Sequence, residues 1–216
     1  MVNFHIVTLF PEVMEPYLKS SILGRALESK KIKVNFYNPR DFLNSSRQRV
    51  DGKPFGGGPG MIIRPEPVVK AIIKAKGRKR NVKIIFLNRK GRKLTNDYAR
   101  VLSSRYKHIV IVSGRYEGID ARVYDVFKED DTEHVSLGNF ILTGGEIPAL
   151  AIIDCVSRQV EGVLGDSNSL EESRSAGKLV YTRPFSFKHK SKQYSVPSVL
   201  LSGHHEKIEN WKKRNS

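Results

Sequence analysis

The chain has 216 residues, one cysteine and a formal net charge of +16, from 38 Lys and Arg against 22 Asp and Glu. This length permits one substantial core with a small appendage, and one cysteine excludes an intrachain disulfide. No signal peptide or bilayer-length apolar stretch is recognisable, so a cytoplasmic protein is expected. The excess charge, including ten Lys or Arg without an acid in residues 74–93, predicts a polyanionic partner such as nucleic acid, with a basic soluble surface as the alternative.

Strand-like and helical patterns alternate along most of the chain. The strand patterns lie at 4–9, 32–37, 82–87, 108–112 and about 134–137, and the helical patterns at about 11–29, 65–76, 95–104, 119–127 and 146–159. Alternation of this kind predicts an α/β domain with a mostly parallel, buried sheet.

Two later stretches depart from the alternation. Residues 161–177 combine glycine, serine and mixed charge, which indicates a flexible linker or lid. Residues 178–216 carry nine Lys or Arg against two Glu and end in a helical pattern at about 205–213. Because this basic segment is too short for its own core, the predicted organisation is a main domain at 1–160, a linker and a small basic C-terminal segment.

Three glycine-bearing segments follow predicted strands, namely 88–91, 113–120 and 136–146. Glycine permits tight bends and close backbone approaches. Since ligands of parallel sheets bind at the carboxyl ends of the strands, the three segments are expected to build one pocket.

Several familiar sites can be excluded from the sequence. Gly56–Gly60 lacks the spacing of a dinucleotide fingerprint and contains Pro59, and no phosphate-binding Gly-Lys-Ser/Thr motif occurs. No Cys/His spacing suggests zinc, so no metal site is assigned to protein ligands. Cys155 lies on an apolar helix face, which predicts a buried thiol rather than a nucleophile.

Short motifs distributed over nearly the whole chain carry a resemblance to a known family. They are Leu9-Phe10-Pro11-Glu12, Ser21 to Ala26, Pro39-Arg40-Asp41-Phe42, Arg49-Val50-Asp51, Pro54 to Met61, Gly114 to Asp120, Ser136 to Glu146, Asp154 to Arg158, Tyr181-Thr182-Arg183-Pro184, Val196-Pro197 and Leu200 to His204. In this order they resemble the bacterial tRNA (guanine-37-N1)-methyltransferases of the knotted SPOUT superfamily.

The resemblance implies a deep C-terminal trefoil knot, an uncommon feature among protein folds. It also implies a homodimer with active sites at the subunit interface, and S-adenosylmethionine bound in the knot as methyl donor. The residues that it assigns to the donor are Leu87, Asn88, Arg89, Gly91, Ser113, Gly114, Arg115, Tyr116, Glu117, Ser136, Leu137, Gly138, Phe140, Ile141, Leu142, Gly144, Gly145 and Pro148.

The resemblance further implies which residues carry the chemistry. Guanine N1 becomes nucleophilic only after a base removes its proton, and negative charge then develops at O6. Arg158 matches the arginine that stabilises this charge; from pattern alone, a helix-terminal arginine that complements the dipole is an equal alternative. Glu172 is the best match to the base, which is aspartate in the family. Glu117 is expected to orient the donor's amino group or to help hold a magnesium ion.

The predicted substrate contacts lie in a glycine-rich segment and in the basic C-terminal segment. They are Asp51, Pro54, Phe55, Gly57, Gly58, Pro59, Gly60 and Arg183. A glycine-rich wall lets a flipped base approach the backbone closely, and the expected target is the anticodon stem-loop of tRNA.

Three departures from the family keep alternatives open. Asn88-Arg89-Lys90-Gly91 stands where Ser-Pro-Gln-Gly is usual in the family, and Glu172 stands where aspartate is usual. The last residue, Ser216, comes soon after Trp211, so a shortened helical C-terminal segment is expected. The alternatives are a catalytically weak RNA-binding protein that retains the fold, and a methyltransferase for another RNA.

Overall fold

The computed structural model describes residues 1–45, 47–164 and 179–215. The chain divides into two compact units, Met1–Gly165 and Asp166–Ser216. The first unit contains the central sheet and all of the glycine-bearing segments.

Five parallel strands form the central sheet. Their bounds are β1 Val2–Val7, β2 Ile32–Tyr37, β5 Val82–Lys93, β6 His108–Val112 and β7 Thr132–Ser136, and their order across the sheet is β2-β1-β6-β5-β7. A separate two-stranded antiparallel ribbon joins β3 (Asp51–Gly52) to β4 (Ile62–Ile63). Because the five strands are parallel, their carboxyl ends all meet at one edge of the sheet.

Six helices occur in the described part of the first unit, five of them between strands and the sixth, α6, after β7. They are α1 Pro11–Leu18, α2 Ser21–Glu28, α3 Pro65–Lys76, α4 Asn96–Arg105, α5 Arg122–Val126 and α6 Glu146–Arg158, and a 3₁₀ helix spans Pro39–Phe42. The hydrophobic cores lie on both faces of the sheet: residues of α1, α2, α4 and α6 pack on one face, and those of α3 and α5 on the other. The α/β fold with a mostly parallel sheet is therefore confirmed.

The predicted single helix at 11–29 is wrong, because the chain breaks it after Leu18. Ser21 adopts a left-handed φ of 51°, and α2 then folds back close to the end of α1. A Cβ at Gly24 would lie 2.4 Å from the carbonyl oxygen of Lys19, so this close approach requires glycine. The apolar periodicity continues across the break, since Leu18 and Leu23 are both buried.

The second unit contains a small antiparallel hairpin and a helix. Strands β8 (Ser186–His189) and β9 (Lys192–Ser195) precede a 3₁₀ helix at Ser198–Leu201 and α7 at His205–Arg214. Of these elements, the sequence pattern predicts only α7, because the two strands are short and mostly exposed. No helix within the described residues is long and apolar enough to cross a membrane.

Candidate functional site

The carboxyl ends of β5, β6 and β7 enclose a cavity of about 420 Å³. Small-molecule sites in proteins occupy roughly 300–1,000 Å³. The cavity is lined by Leu87, Asn88, Arg89, Gly114, Arg115, Tyr116, Glu117, Gly118, Val135, Ser136, Leu137, Gly138, Phe140, Ile141, Leu142, Thr143, Gly144, Gly145 and Pro148. The three glycine-bearing segments thus come together, and of the predicted donor-binding residues only Gly91 and Ser113 do not line the cavity.

Gly91 and Ser113 lie outside the cavity lining but hold the backbone of the lining segments in place. A Cβ at Gly91 would lie 2.5 Å from the carbonyl carbon of His134, so only glycine lets β5 approach β7 this closely. The Ser113 hydroxyl donates to the carbonyl oxygen of Gly145 at 3.3 Å. Both residues therefore position the backbone of segments that form the wall.

The first wall segment is a bulge inside β5 rather than the end of that strand. Leu87 and Arg92 both pair with Val135 of β7, so residues 88–91 loop out between them. The predicted strand ends at 87 because the apolar pattern stops there, whereas backbone pairing resumes at Arg92. Arg89 lies on the exposed side of the bulge and lines the cavity.

A buried charge pair supports the second wall segment. The Arg115 Nε lies 2.9 Å from Glu146 Oε2, and the Glu146 side chain is only 3% exposed. Thr8 donates a hydrogen bond to the other oxygen of Glu146 at 2.8 Å. The Arg115 guanidinium also lies 4.6 Å from the centre of the Phe10 ring, in cation–π geometry. The pair thereby ties the loop after β6 to the start of α6 and the end of β1.

Two glycines make this arrangement possible at the start of α6. A Cβ at Gly144 would lie 2.4 Å from the Arg115 Nε, in the space that the charge pair occupies. A Cβ at Gly145 would lie 2.7 Å from the Cα of Ser113, and the Gly145 N–H donates to the Gly114 carbonyl at 2.9 Å. The Gly-Gly sequence is required here by close packing.

Backbone strain marks the same loop. Tyr116 adopts a φ of 58°, in the left-handed region that non-glycine residues rarely occupy, and its side chain is 49% exposed. Strained residues of this kind cluster at ligand-binding sites. The strain supports a binding role for the segment between Gly114 and Gly118.

The predicted guanine-binding segment lies beside the cavity. It connects β3 to β4, and its glycines at 56, 57, 58 and 60 all have positive φ. The N–H of Glu117 donates to the Met61 carbonyl at 3.0 Å, and a Cβ at Gly60 would lie 2.4 Å from Glu117 Oε1. Glu117 therefore stands where the cavity meets the glycine-rich segment.

The remaining predicted substrate contacts differ in exposure. Asp51 is buried and forms an ion pair with Arg49 at 3.1 Å, which makes it a structural anchor of the segment. Phe55 is 98% exposed, and Pro59 is also exposed, whereas Pro54 is half-buried. Arg183 is exposed and belongs to the second unit.

Arg158 does not line the cavity of its own chain. Helix α6 begins at the cavity and has 13 residues, so its last residue lies roughly 18 Å from its first at 1.5 Å per residue. The turn that follows approaches the start of β2, because a Cβ at Gly162 would lie 3.1 Å from the Lys31 Nζ. Arg158 thus lies toward the opposite edge of the sheet. Glu172 falls outside the described residues.

Some residues of the site carry no recognisable signal in the sequence. Val135 lines the cavity although it lies outside the segments predicted to form it, and the contact between Glu146 and Thr8 supports the cavity wall. An acidic residue at the start of a helix is usually interpreted as an exposed partner of the helix dipole, so only the fold reveals that Glu146 is buried. The apolar run before Thr8 predicts the strand but not the contact across the sheet.

Within residues 1–45, 47–164 and 179–215, no three His, Cys, Asp or Glu side chains are grouped so that they could hold a metal ion. Cys155 packs against the hydrophobic core, but the thiol predicted to be buried is only half-buried.

Comparison with known proteins gives a consistent match over the whole chain. Residues 2–216 match the family model described as tRNA (Guanine-1)-methyltransferase TrmD. A tRNA (guanine-N(1)-)-methyltransferase of Campylobacter jejuni subsp. doylei is 45% identical over 95% of this chain and 88% of its own length. Proteins with the same description from Caldanaerobacter subterraneus and Pseudoalteromonas atlantica are 45% and 41% identical over 99% of this chain and cover 86% and 79% of their own lengths.

Proposed function

The chain belongs to the tRNA (guanine-1)-methyltransferase TrmD family, and from this membership we propose that it methylates N1 of guanine 37 in tRNA, 3′ of the anticodon. S-adenosylmethionine is the methyl donor that membership of a methyltransferase family implies. The observation that carries the proposal is the cavity at the carboxyl edge of the sheet, where the segments matching the family's donor site come together.

The lining has the chemistry that S-adenosylmethionine needs. Leu87, Val135 and Leu142 offer apolar surface to an adenine ring, and backbone groups of residues 136–145 can recognise its edge. The Glu117 carboxylate can hold the ammonium group, and Arg89 the carboxylate, of the methionine part. Bound S-adenosylmethionine supplies a methyl group activated by its sulfonium, so the protein needs no covalent nucleophile.

The protein must prepare guanine N1, which carries a proton. We assign removal of this proton to Glu172, and stabilisation of the negative charge at O6 to Arg158. The glycine-rich segment at 51–60 would hold the flipped base beside the cavity, since Met61, directly after it, accepts a hydrogen bond from the Glu117 N–H. Glu117 is also the candidate for holding a magnesium ion together with the substrates.

The position of Arg158 supports an active site shared between two subunits. Pro148 of α6 lines the cavity, and Arg158 follows it ten residues later, roughly 15 Å along the helix, so an arginine side chain cannot bridge the gap within one chain. We therefore propose a homodimer in which Arg158 of the partner subunit completes the site.

An exposed apolar surface is available for that dimer. Phe140, Ile141 and Ile147 are 53%, 78% and 58% exposed, and Val13 and Tyr17 of α1 are half exposed. Large apolar side chains grouped in this way mark interaction surfaces. The trefoil knot implied by the family would involve the same cavity region and is part of the proposal.

The second unit is proposed to bind tRNA. Its described residues include Arg183 and α7, whose last turn carries Lys212, Lys213 and Arg214. The proposed organisation is the methyltransferase domain at 1–160, a linker that carries Glu172 at 161–177 and the basic segment at 178–216.

Mass-spectrometric mapping of an unmodified tRNA transcript, after incubation with the protein and S-adenosylmethionine, tests the function. One added methyl group on N1 of guanine 37 is expected. Donor binding by calorimetry without any methylation would favour an RNA-binding protein that retains the fold. Methylation at another nucleotide, or of another RNA only, would favour a different methyltransferase.

A further inference from the structure

The edge of the sheet opposite the cavity carries a group of exposed cations, which we call the basic edge. It consists of Lys30, Lys31, Lys33, Arg78, Arg80 and Lys107, all exposed. They flank the starts of β2, β5 and β6, which lie at one edge because these strands are parallel. Backbone hydrogen bonds join the neighbouring strand starts directly, from Val2 to Lys31 and from Asn3 to Lys107.

The spacing of the basic edge suits a polyanion. Strands β2, β1, β6 and β5 are neighbours in this order, and adjacent strands lie about 4.8 Å apart, so the edge spans roughly 15 Å. A row of cations over this distance can contact several phosphates of one nucleic-acid backbone. A small anion would need only one or two of them.

The cations of the basic edge are not neutralised by nearby carboxylates. Within the part of the chain that the structure describes, Lys33, Arg80 and Lys107 form no ion pair. By contrast, Lys76 contacts Asp130, and Lys83 contacts Asp131 at 2.7 Å and Glu133 at 3.2 Å. Asp130, Asp131 and Glu133 are thus paired with Lys76 and Lys83 rather than with cations of the basic edge.

Positive charges at this edge of the sheet also lower the pKa of two histidines in neighbouring strands. Burial first, and then the positive charges of Lys79, His108 and Lys33, lower the pKa of His5 from 6.5 to about 4. Burial, together with Lys79 and Lys107, also lowers the pKa of His108. Lys33 and Lys107 of the basic edge, together with the neighbouring Lys79, thus add positive charge around these two histidines.

We propose that the basic edge binds phosphates of the tRNA substrate. The inference rests on the proposed function for the identity of the RNA. It adds a contact surface in the first unit that is separate from the cavity and the basic C-terminal segment. A six-residue strand such as β1 spans about 20 Å, so within one chain a nucleotide in the cavity does not itself reach the basic edge.

The test compares two triple variants with the same change in net charge. Lys33→Gln/Arg80→Gln/Lys107→Gln removes three cations of the basic edge. The control Lys19→Gln/Lys70→Gln/Arg100→Gln removes three exposed cations of the helical region, of which Lys19 and Arg100 are already paired with acids. Binding of full-length tRNA is measured by fluorescence anisotropy without donor, from 50 to 300 mM salt.

The slope of log affinity against log salt is negative, and each lost phosphate contact makes it shallower by roughly 0.7–0.9. The basic-edge variant is expected to lose about two units of slope and, at 50 mM salt, on the order of tenfold in affinity. The control is expected to change the slope by less than about half a unit. Equal slopes for the two variants would overturn the inference.

Two further measurements keep this result separate from the proposed function. Calorimetric affinity for S-adenosylmethionine is expected to be the same in both variants and the wild type, which verifies that the cavity is intact. Failure of the wild type to methylate guanine would refute the proposed function but leave the binding comparison valid. An equal loss of affinity for duplex DNA of the same charge would overturn the assignment to tRNA.

Discussion

The two edges of the central sheet use charge in opposite ways. At the carboxyl edge, Arg115 and Glu146 are drawn into the structure and neutralise each other at 2.9 Å. At the amino edge, Lys33, Arg80 and Lys107 stay exposed, and the described residues offer them no ion pair. We propose that the first edge holds a small molecule in a defined geometry, and that the second attracts a polyanion without fixing its position.

This difference determines what a substitution should do at each edge. Removing one partner of a buried pair leaves an uncompensated charge, which is strongly destabilising. Removing an exposed cation costs little stability, because water solvates what remains. Stability should therefore respond to changes at the carboxyl edge, and salt-dependent binding to changes at the amino edge.

The largest effect is expected for Arg115→Met, which preserves much of the side-chain volume but leaves the Glu146 carboxylate buried with the Thr8 hydroxyl as its hydrogen-bond partner among the described residues. We expect the free energy of unfolding to fall by about 3 kcal/mol. The matched control is Arg100→Met, which breaks the exposed pair with Asp97 and should cost less than about 1 kcal/mol. Urea denaturation monitored by circular dichroism measures both.

A double-variant cycle sharpens this prediction. Adding Glu146→Gln to Arg115→Met removes the unpaired charge, so the double variant should recover part of the lost stability. If the stability losses of the two single variants simply add in the double variant, Arg115 and Glu146 are not energetically coupled. The carboxyl edge would then lack the neutralising charge pair that sets it apart from the amino edge.

The next largest effect is expected for Arg158→Ala, which tests the proposed role of an amino-edge residue in catalysis. This residue lies toward the amino edge of its own chain but is proposed to act at a carboxyl-edge cavity. Loss of one group that stabilises charge in the transition state lowers rates by about 10²–10³-fold. Single-turnover methylation should fall by this factor, whereas calorimetric donor affinity and thermal stability should change little.

Subunit mixing can show which cavity Arg158 serves. Leu142→Arg should block donor binding, because Leu142 lines the cavity and the new cation would repel a sulfonium. Mixed dimers of Arg158→Ala and Leu142→Arg chains contain one complete site only if Arg158 acts on the partner's cavity. Activity in the mixture well above that of either variant is expected; its absence would place Arg158 at the cavity of its own chain.

Much of the carboxyl edge could be predicted from the sequence, for a physical reason. Parallel strands bring their ends together wherever an α/β pattern is present, so loops such as 88–91 and 113–120 must be neighbours. The adjacent glycines at 144 and 145 are by themselves a sign of close packing. What they pack against, the Arg115–Glu146 pair, depends on side chains separated by about thirty residues and has no local signal.

Only part of the amino edge could be predicted from the sequence. The cation-rich run at 74–93 is one feature of the sequence, but the fold divides it: Arg78 and Arg80 lie just before β5, whereas Arg89 lines the cavity. The cations near the starts of β2 and β6 come from other parts of the sequence. A surface assembled from three loops becomes visible only when strand order is known.

The smallest effect concerns the histidines beneath the basic edge. His5 is buried between Tyr37 and His108, whose atoms lie 3.2 Å from its two ring nitrogens. Its pKa is lowered from 6.5 to about 4, by burial first and then by Lys79. The unfolded chain therefore binds more protons between these values, so the contribution of His5 to stability is complete above pH 6.5 and is lost as the pH falls toward 4.

Lys79→Gln removes one cation from this field without touching the ring. The pKa of His5 and that of His108 should then rise, as they should when salt screens the wild type, and the loss of stability on acidification should become smaller. Histidine NMR titration of the variant, the wild type and the control Lys70→Gln provides the measurement. If both histidines keep their wild-type pKa in Lys79→Gln, burial alone sets these pKa values. The cations of the amino edge would then not act on the histidines, and this difference from the neutralised carboxyl edge would be lost.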